Sequence, residues 1–308
     1  MFKKILFATS GSPACDNAAR VAFDMANRYD AELVLFHSLG IPTRGYSQIV
    51  VDVRTGEEVS FDADYTTWVE EELRTTYAKQ LETLSKARLE IRVGLPHTEI
   101  LRLARQEEAD LIVMGASTRD SEPEAPHRRG FAGSTLQKVA RGAKCPVLTI
   151  HRPVASFWGG FSNIVFGTDF SKAANYAFRF ALNIAKELDC KLHIFHALDI
   201  NTTVGQFQAQ DSIEDNLIAA RRRMRALYEP QMDGFNNYEF EVWEGVPFVE
   251  IVKFTRERQA DLLVMAHHTR ETDPEKARLG STLEQVALRA TCPVASLNRA
   301  PKEEGKET

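Results

Sequence analysis

The run Ile5-Leu6-Phe7-Ala8-Thr9-Ser10 returns 159 positions later as Ile164-Val165-Phe166-Gly167-Thr168-Asp169, and this recurrence constrains the chain more than any other feature. At the same offset Leu33-Val34-Leu35-Phe36-His37 matches Leu192-His193-Ile194-Phe195-His196. Farther on, Asp110-Leu111-Ile112-Val113-Met114 matches Asp261-Leu262-Leu263-Val264-Met265 at an offset of 151. Gly133-Ser134-Thr135-Leu136 and Cys145-Pro146-Val147 return 147 positions on, as Gly280-Ser281-Thr282-Leu283 and Cys292-Pro293-Val294. Order is kept while spacing shrinks across polar stretches, which is what a duplicated domain with variable loops produces; a solenoid would show many short periods. The 308 residues divide into domains at 1–152 and 163–299, joined by a linker at 153–162 and followed by a charged, loose tail at 300–308. Pro153 and the Gly159-Gly160 pair mark the break.

Within each copy, short apolar runs rich in Val, Ile, Leu and Phe alternate with longer segments whose apolar residues recur at helical spacing. This predicts βα units around a parallel sheet of five strands per copy. The first helices place Ala18, Val21, Ala22, Met25 and Tyr29 on one face in copy one, and Ala177, Phe180, Ala181, Ile184 and Leu188 in copy two. Later helices start near Pro96 and Pro247, each shortly after a glycine, Gly94 or Gly245. Segments 43–60 and 201–210 interrupt the alternation after the second strand and read as surface loops bordering a site.

In an open α/β sheet, ligands bind beyond the carboxyl ends of the strands. In copy one the residues there are Thr9-Ser10-Gly11-Ser12, His37-Ser38, Met114-Gly115 and, opening the next helix, Gly133-Ser134-Thr135. A glycine followed by hydroxyl residues at a helix start presents free backbone N–H groups to an anion such as phosphate. An ordinary Ser or Thr cap would look the same in isolation; the recurrence of the arrangement as Gly280-Ser281-Thr282 after Met265 favours a ligand. His37 and His196 end equivalent strands, and His267-His268 follow the fourth strand of copy two. No cysteine or carboxylate completes a metal-ligand spacing with them, so no metal site is assigned, and His193 is expected to pack within its strand.

The strand order, the polar loop from Gly115 to Gly133-Ser134, the Cys-Pro-Val strands and the tandem plan together resemble the universal stress protein family over nearly the whole chain. The resemblance implies two tandem doubly wound α/β domains, Rossmann-like and of the adenine nucleotide alpha hydrolase kind, with an ATP pocket between the first and fourth strands of each. The family's ATP-binding members carry a glycine, two residues, a second glycine, nine residues, then glycine with Ser or Thr, and an aspartate after the first strand. Copy one keeps Gly115 and Gly133-Ser134 but has Thr118 for the second glycine, a longer loop, and Ser10 for the aspartate. Copy two keeps Asp169 and Gly280-Ser281 but has Ala266 and Thr269 for the two glycines. Loss of a glycine hinders backbone approach to phosphate, and loss of the aspartate removes a ribose or metal contact, so the two sites are expected to be weakened differently.

Carried residue by residue, the resemblance assigns Ala8, Thr9, Ser10 and Met114 to the nucleoside walls of copy one and Gly115, Gly133, Ser134 and Thr135 to the phosphates, with Arg128 and Arg129 able to close over them. The matching set in copy two is Gly167, Thr168, Asp169, Met265, Gly280, Ser281 and Thr282, with Arg270, Lys276 and Arg278 in the loop. Copy one is the favoured site. ATP, with Mg as its companion ion, is the expected ligand; flavin and haem are not. The family's habit of joining last strands implies an internal pseudo-dimer through 147–150 and 294–297, with further homodimerisation open.

The resemblance implies nucleotide sensing in a stress response through an unidentified protein partner, and no Ser-His-Asp arrangement or carboxylate pair points to dedicated catalysis. Two alternatives stand beside it: a nucleotide-free stress-tolerance scaffold with degenerate pockets, and a weak ATPase. A net charge of −5 gives no general attraction to nucleic acid or to an anionic membrane. The run Arg221-Arg222-Arg223 with Arg225 reads as a solvated helix face. No apolar run approaches the ~20 residues of a membrane span, the opening apolar stretch is too short for an export signal, and the four cysteines form no CxxC pair. A reducing cytoplasm is the expected setting.

Overall fold

The computed structural model describes residues 1–42, 49–52, 58–60, 63–115, 134–150, 161–199, 210–267 and 281–298. The linker residues 153–160, the tail, most of the loops at 43–60 and 201–210, Thr118, Arg128, Arg129, Gly133, His268, Thr269, Arg270, Lys276, Arg278 and Gly280 lie outside the described residues. The chain separates into two compact units, Met1–Trp158 and Gly159–Thr308.

In unit one the elements run β1 (Lys4–Ala8), α1 (Asp16–Tyr29), β2 (Glu32–Ser38), β3 (Gly40–Pro42), β4 (Ile49–Asp52), β5 (Glu58–Ser60), α2 (Ala63–Thr76), α3 (Ala78–Thr83), β6 (Ala87–Arg92), α4 (Pro96–Gln106), β7 (Leu111–Gly115), α5 (Ser134–Gly142) and β8 (Val147–Ile150). Five of these strands lie parallel in the order β8-β7-β1-β2-β6. The chain therefore builds outward from β1 through β2 to β6, then returns to the other side of β1 for β7 and β8. The switch point falls between β1 and β7, where Ala8 pairs with Met114.

Unit two repeats this with β9 (Asn163–Gly167), α6 (Lys172–Leu188), β10 (Lys191–Leu198), α7 (Gln210–Tyr228), β11 (Tyr238–Glu244), α8 (Pro247–Glu257), β12 (Leu262–Ala266), α9 (Ser281–Arg289) and β13 (Val294–Leu297). Its parallel order is β11-β10-β9-β12-β13, with the switch point between β9 and β12, where Gly167 pairs with Met265.

The physical causes are visible in each element. Central strands β1, β2, β7 and their counterparts are buried nearly end to end, as strands covered on both faces require. Edge strands β6 and β11 are instead half-exposed and carry charges: Arg88 bridges Glu32, Glu90 and Glu107, and Lys191 bridges Glu239. Such charges blunt an edge against pairing with another strand. Helices α4 and α8 begin at Pro96 and Pro247, where a missing N–H costs no hydrogen bond. Asp110 and Asp261 fasten the start of each first strand: one carboxylate oxygen accepts from the N–H groups of Lys3 and Lys4 at 2.7 and 2.9 Å, the other from Ser162 and Asn163 at the same distances.

Two local features differ from the sequence reading. The segment after β2 holds a three-stranded antiparallel ribbon, β3-β4-β5, built on Ile49-Val50-Val51, in place of plain loop. In α6 the fully buried aromatic is Phe178, not Phe180; the helix turns Ala174, Ala177, Phe178 and Ala181 into the core and leaves Phe180 half-exposed. Among the described residues no helix is long and apolar enough to cross a membrane.

Candidate functional site

At the carboxyl end of β1, three elements converge on Thr9. Its N–H donates to Phe36 O of β2 at 2.9 Å, and the His37 Nδ1–H donates to Thr9 O at 2.9 Å. A carbonyl can only accept, so the proton is on Nδ1. The Thr9 hydroxyl meets the Tyr77 phenol at 2.7 Å and accepts the Gly11 N–H at 3.0 Å. Tyr77, between α2 and α3, is buried with its ring edge-on to Phe7. Burial raises its phenol well above the ordinary value, so it stays a neutral hydrogen-bonding group.

Copy two builds the same frame. Thr168 N–H donates to Phe195 O at 2.9 Å, His196 Nδ1–H donates to Thr168 O at 2.8 Å, and the Thr168 hydroxyl meets Tyr228 at 2.6 Å while accepting the Phe170 N–H at 3.0 Å. Burial pushes the Tyr228 phenol up to about 12 and lowers the His196 imidazole below its usual value. Neither tyrosine was singled out in the sequence. They stand 151 positions apart, the offset that relates Asp110 to Asp261, so the repeat itself contained the signal.

The frame supports a recess in copy one. Ser10, Gly11 and His37 from the strand ends and Val69, Glu72, Leu73 and Thr76 from α2 surround a space of about 280 Å³, counted out to open solvent. Gly11 has a left-handed φ of 71°, and a Cβ placed on it would lie 3.3 Å from Leu73 Cδ2. The Ser10 hydroxyl is 2.9 Å from that of Ser12 and 3.3 Å from Cys15 Sγ.

Of the residues assigned to copy one, Ser10 lines this recess and the other described ones do not. Ala8 and Met114 are buried partners across the switch point, and Gly115 ends β7. Ser134 and Thr135 open α5, the helix that follows β7. Thr9 is buried with its hydroxyl committed to Tyr77 and Gly11. In copy two Gly167 faces Met265, whose Cγ would lie 3.3 Å from a Cβ at that glycine. Thr168 is committed to Tyr228, and the exposed Asp169 accepts the Ser171 N–H at 2.9 Å within its own turn. Ser281 and Thr282 open α9. His193 is buried, with Nε2 3.0 Å from Asn163 Oδ1. Among the described residues no cluster of three or more His, Cys, Asp or Glu is placed to hold a metal ion.

Fold and strand order together define a tandem of doubly wound α/β domains, each with a topological switch point beside its first strand. The universal stress protein family model matches residues 1–151 and again 160–297, and the chain belongs to that family. A universal stress protein of Methanocaldococcus jannaschii is 33% identical over 147 residues, 46% of this chain and 85% of that protein. One from Thermus aquaticus is 32% identical over 163 residues, 49% of this chain and 99% of that protein. Among solved structures, a universal stress protein from Archaeoglobus fulgidus superposes with a TM-score of 0.67 at 20% identity, covering 96% of this chain and 98% of its own. A Pseudomonas aeruginosa protein described as functionally unknown does so at 0.64 and 18%, covering 97% and 93%. At these identities the structural likeness speaks for the fold.

Proposed function

We propose that this protein is an adenine-nucleotide-binding sensor of the stress response, working in the cytoplasm through a protein partner, with copy one as the occupied site. The observation that carries this is the open recess at the ends of β1 and β2, bounded by α2 and adjoining the switch point. A nucleoside seated over this recess would send its phosphates across β1 toward Gly115 and the first turn of α5, where backbone N–H groups and the helix dipole favour negative charge. Copy one lacks the aspartate of the family's ATP-binding pattern, having Ser10 there, but α2 brings Glu72 to the recess, and a carboxylate at that wall can accept from ribose hydroxyls.

The test is mass spectrometry and absorbance of small molecules released on denaturing the purified protein, repeated for Gly133→Asp and Gly280→Asp. Adenine nucleotide recovered from the wild type and lost only with Gly133→Asp is the expected result. No nucleotide released, together with no binding on titration with ATP and magnesium, overturns the proposal in favour of a nucleotide-free scaffold.

A further inference from the structure

Helix α2 climbs away from the strand ends as it is followed back toward its first turn. Tyr77, just past its last residue, meets Thr9. One turn earlier Leu73 lies against Gly11, its Cδ2 3.3 Å from where a Cβ would sit, and Glu72 and Val69 line the recess. Tyr65 and Trp68 stand four positions before Val69 and Glu72, on the same side of the helix and one turn, about 5.4 Å, farther out. Their rings stack at a centroid distance of 5.9 Å and an interplanar angle of 29°, and Trp68 is 49% exposed.

Two observations set this pair apart from ordinary helix packing. Counted by the offset of 151 that relates Tyr77 to Tyr228, Tyr65 and Trp68 correspond to Asn216 and Ala219 of α7, both exposed. Copy two closes the same contact between Thr168 and Tyr228 with no ring at either position, so seating the helix does not require the aromatic pair. The second observation is one of scale. The recess enclosed by Ser10, Gly11, His37 and α2 has room for about one water. A purine ring cannot enter it and has to lie across its mouth, and the wall that continues outward from that mouth is Tyr65 with Trp68. Every nucleobase has a π-face that stacks on an aromatic side chain. A tryptophan already held against a neighbouring ring gives up little conformational freedom in accepting one.

We infer that Tyr65 and Trp68 form the base-stacking wall of the copy-one site, with Trp68 as the ring that meets the purine of the bound nucleotide. This rests on the nucleotide reading above for the identity of the ligand, and the measurement separates the two. Isothermal titration with ATP and magnesium is carried out on the wild type, Trp68→Ala and Trp68→Phe, each checked for folding by circular dichroism. The expected result is an affinity weaker by roughly tenfold or more in Trp68→Ala and close to that of the wild type in Trp68→Phe, which keeps a π-face. Intrinsic fluorescence gives a second readout that a purely structural role would not move. The chain has three tryptophans, Trp68, Trp158 and Trp243; ATP is expected to quench the emission of the wild type and to leave that of Trp68→Phe unchanged. A folded Trp68→Ala that binds ATP as tightly as the wild type, or equal quenching in the wild type and Trp68→Phe, overturns this inference and leaves the nucleotide reading standing. A wild type that binds no ATP overturns both.

Discussion

Tyr77 Oη lies 2.7 Å from Thr9 Oγ1, and 151 residues later Tyr228 Oη lies 2.6 Å from Thr168 Oγ1. Each pair ties the end of a unit's first strand to the helical segment that follows its second. Tyr77→Phe and Tyr228→Phe keep the ring and remove only the oxygen. Each is expected to lower unfolding stability by about 1 kcal/mol, the net worth of a buried neutral hydrogen bond. Urea denaturation of the single and double variants checks this; losses that simply add match two separate frames.

Gly11→Phe reproduces in copy one the residue that copy two carries at the equivalent position. It is expected to abolish nucleotide release from the purified protein while the circular dichroism spectrum stays that of the wild type. Gly11→Ala, with no ring to fill the recess, is expected to retain most of the binding at a stability cost of about 1 kcal/mol for the left-handed backbone. Nucleotide retained at the wild-type level in Gly11→Phe would show that the recess is not where the ligand sits.

His193 gives the fold an acid sensitivity with a definite sign. Burial, with Lys191 nearby, depresses its imidazole from 6.5 to about 4, while Glu239 at 3.5 Å opposes the shift. The folded state therefore holds it neutral, and the unfolded chain takes up the proton first. Its contribution is fully present above pH 6.5 and is lost as pH falls from 6.5 toward 4, by on the order of 2 kcal/mol. Chemical denaturation at pH 7.5, 5.5 and 4.5 should show a shallower decline for His193→Leu than for the wild type; equal slopes would assign the acid loss to other groups.

Gly94 and Gly245 have φ of 150° and 141°, and a Cβ at either would come within 2.9 or 2.7 Å of Cγ in Glu99 or Glu250. Gly94→Ala and Gly245→Ala are each expected to cost about 1–3 kcal/mol through strained backbone and displaced glutamate. Thermal unfolding reads the loss. Glu99→Ala combined with Gly94→Ala should recover the part that comes from overlap and leave the part that comes from φ.

What was legible in the sequence was whatever the duplication and hydrophobic periodicity encode. The two sheets, the helix starts at Pro96 and Pro247 and the placement of Ala8 against Met114 follow from apolar runs and from the order in which they recur. Tyr77 was equally available, through its partner Tyr228, but a tyrosine at helical spacing reads as core until its hydroxyl is seen to meet Thr9. The ribbon at Ile49-Val50-Val51 is not legible, because it breaks the βα alternation that organises the rest of the domain. Phe170 was hidden for a different reason. No periodicity announces that a phenylalanine adopts the left-handed backbone of a glycine and meets the His196 ring.

In copy two the Phe170 ring lies beside His196 and Arg223, at the position where copy one carries Gly11. A protein with two equal sites can respond to nucleotide with a sharpened threshold, each occupancy altering the next. A protein with one site per chain follows a simple saturation curve, graded across roughly a hundredfold range of concentration, and any steeper response has to come from chains acting on one another. If copy one alone takes nucleotide, as proposed, the readout tracks the nucleotide level proportionally instead of switching on it.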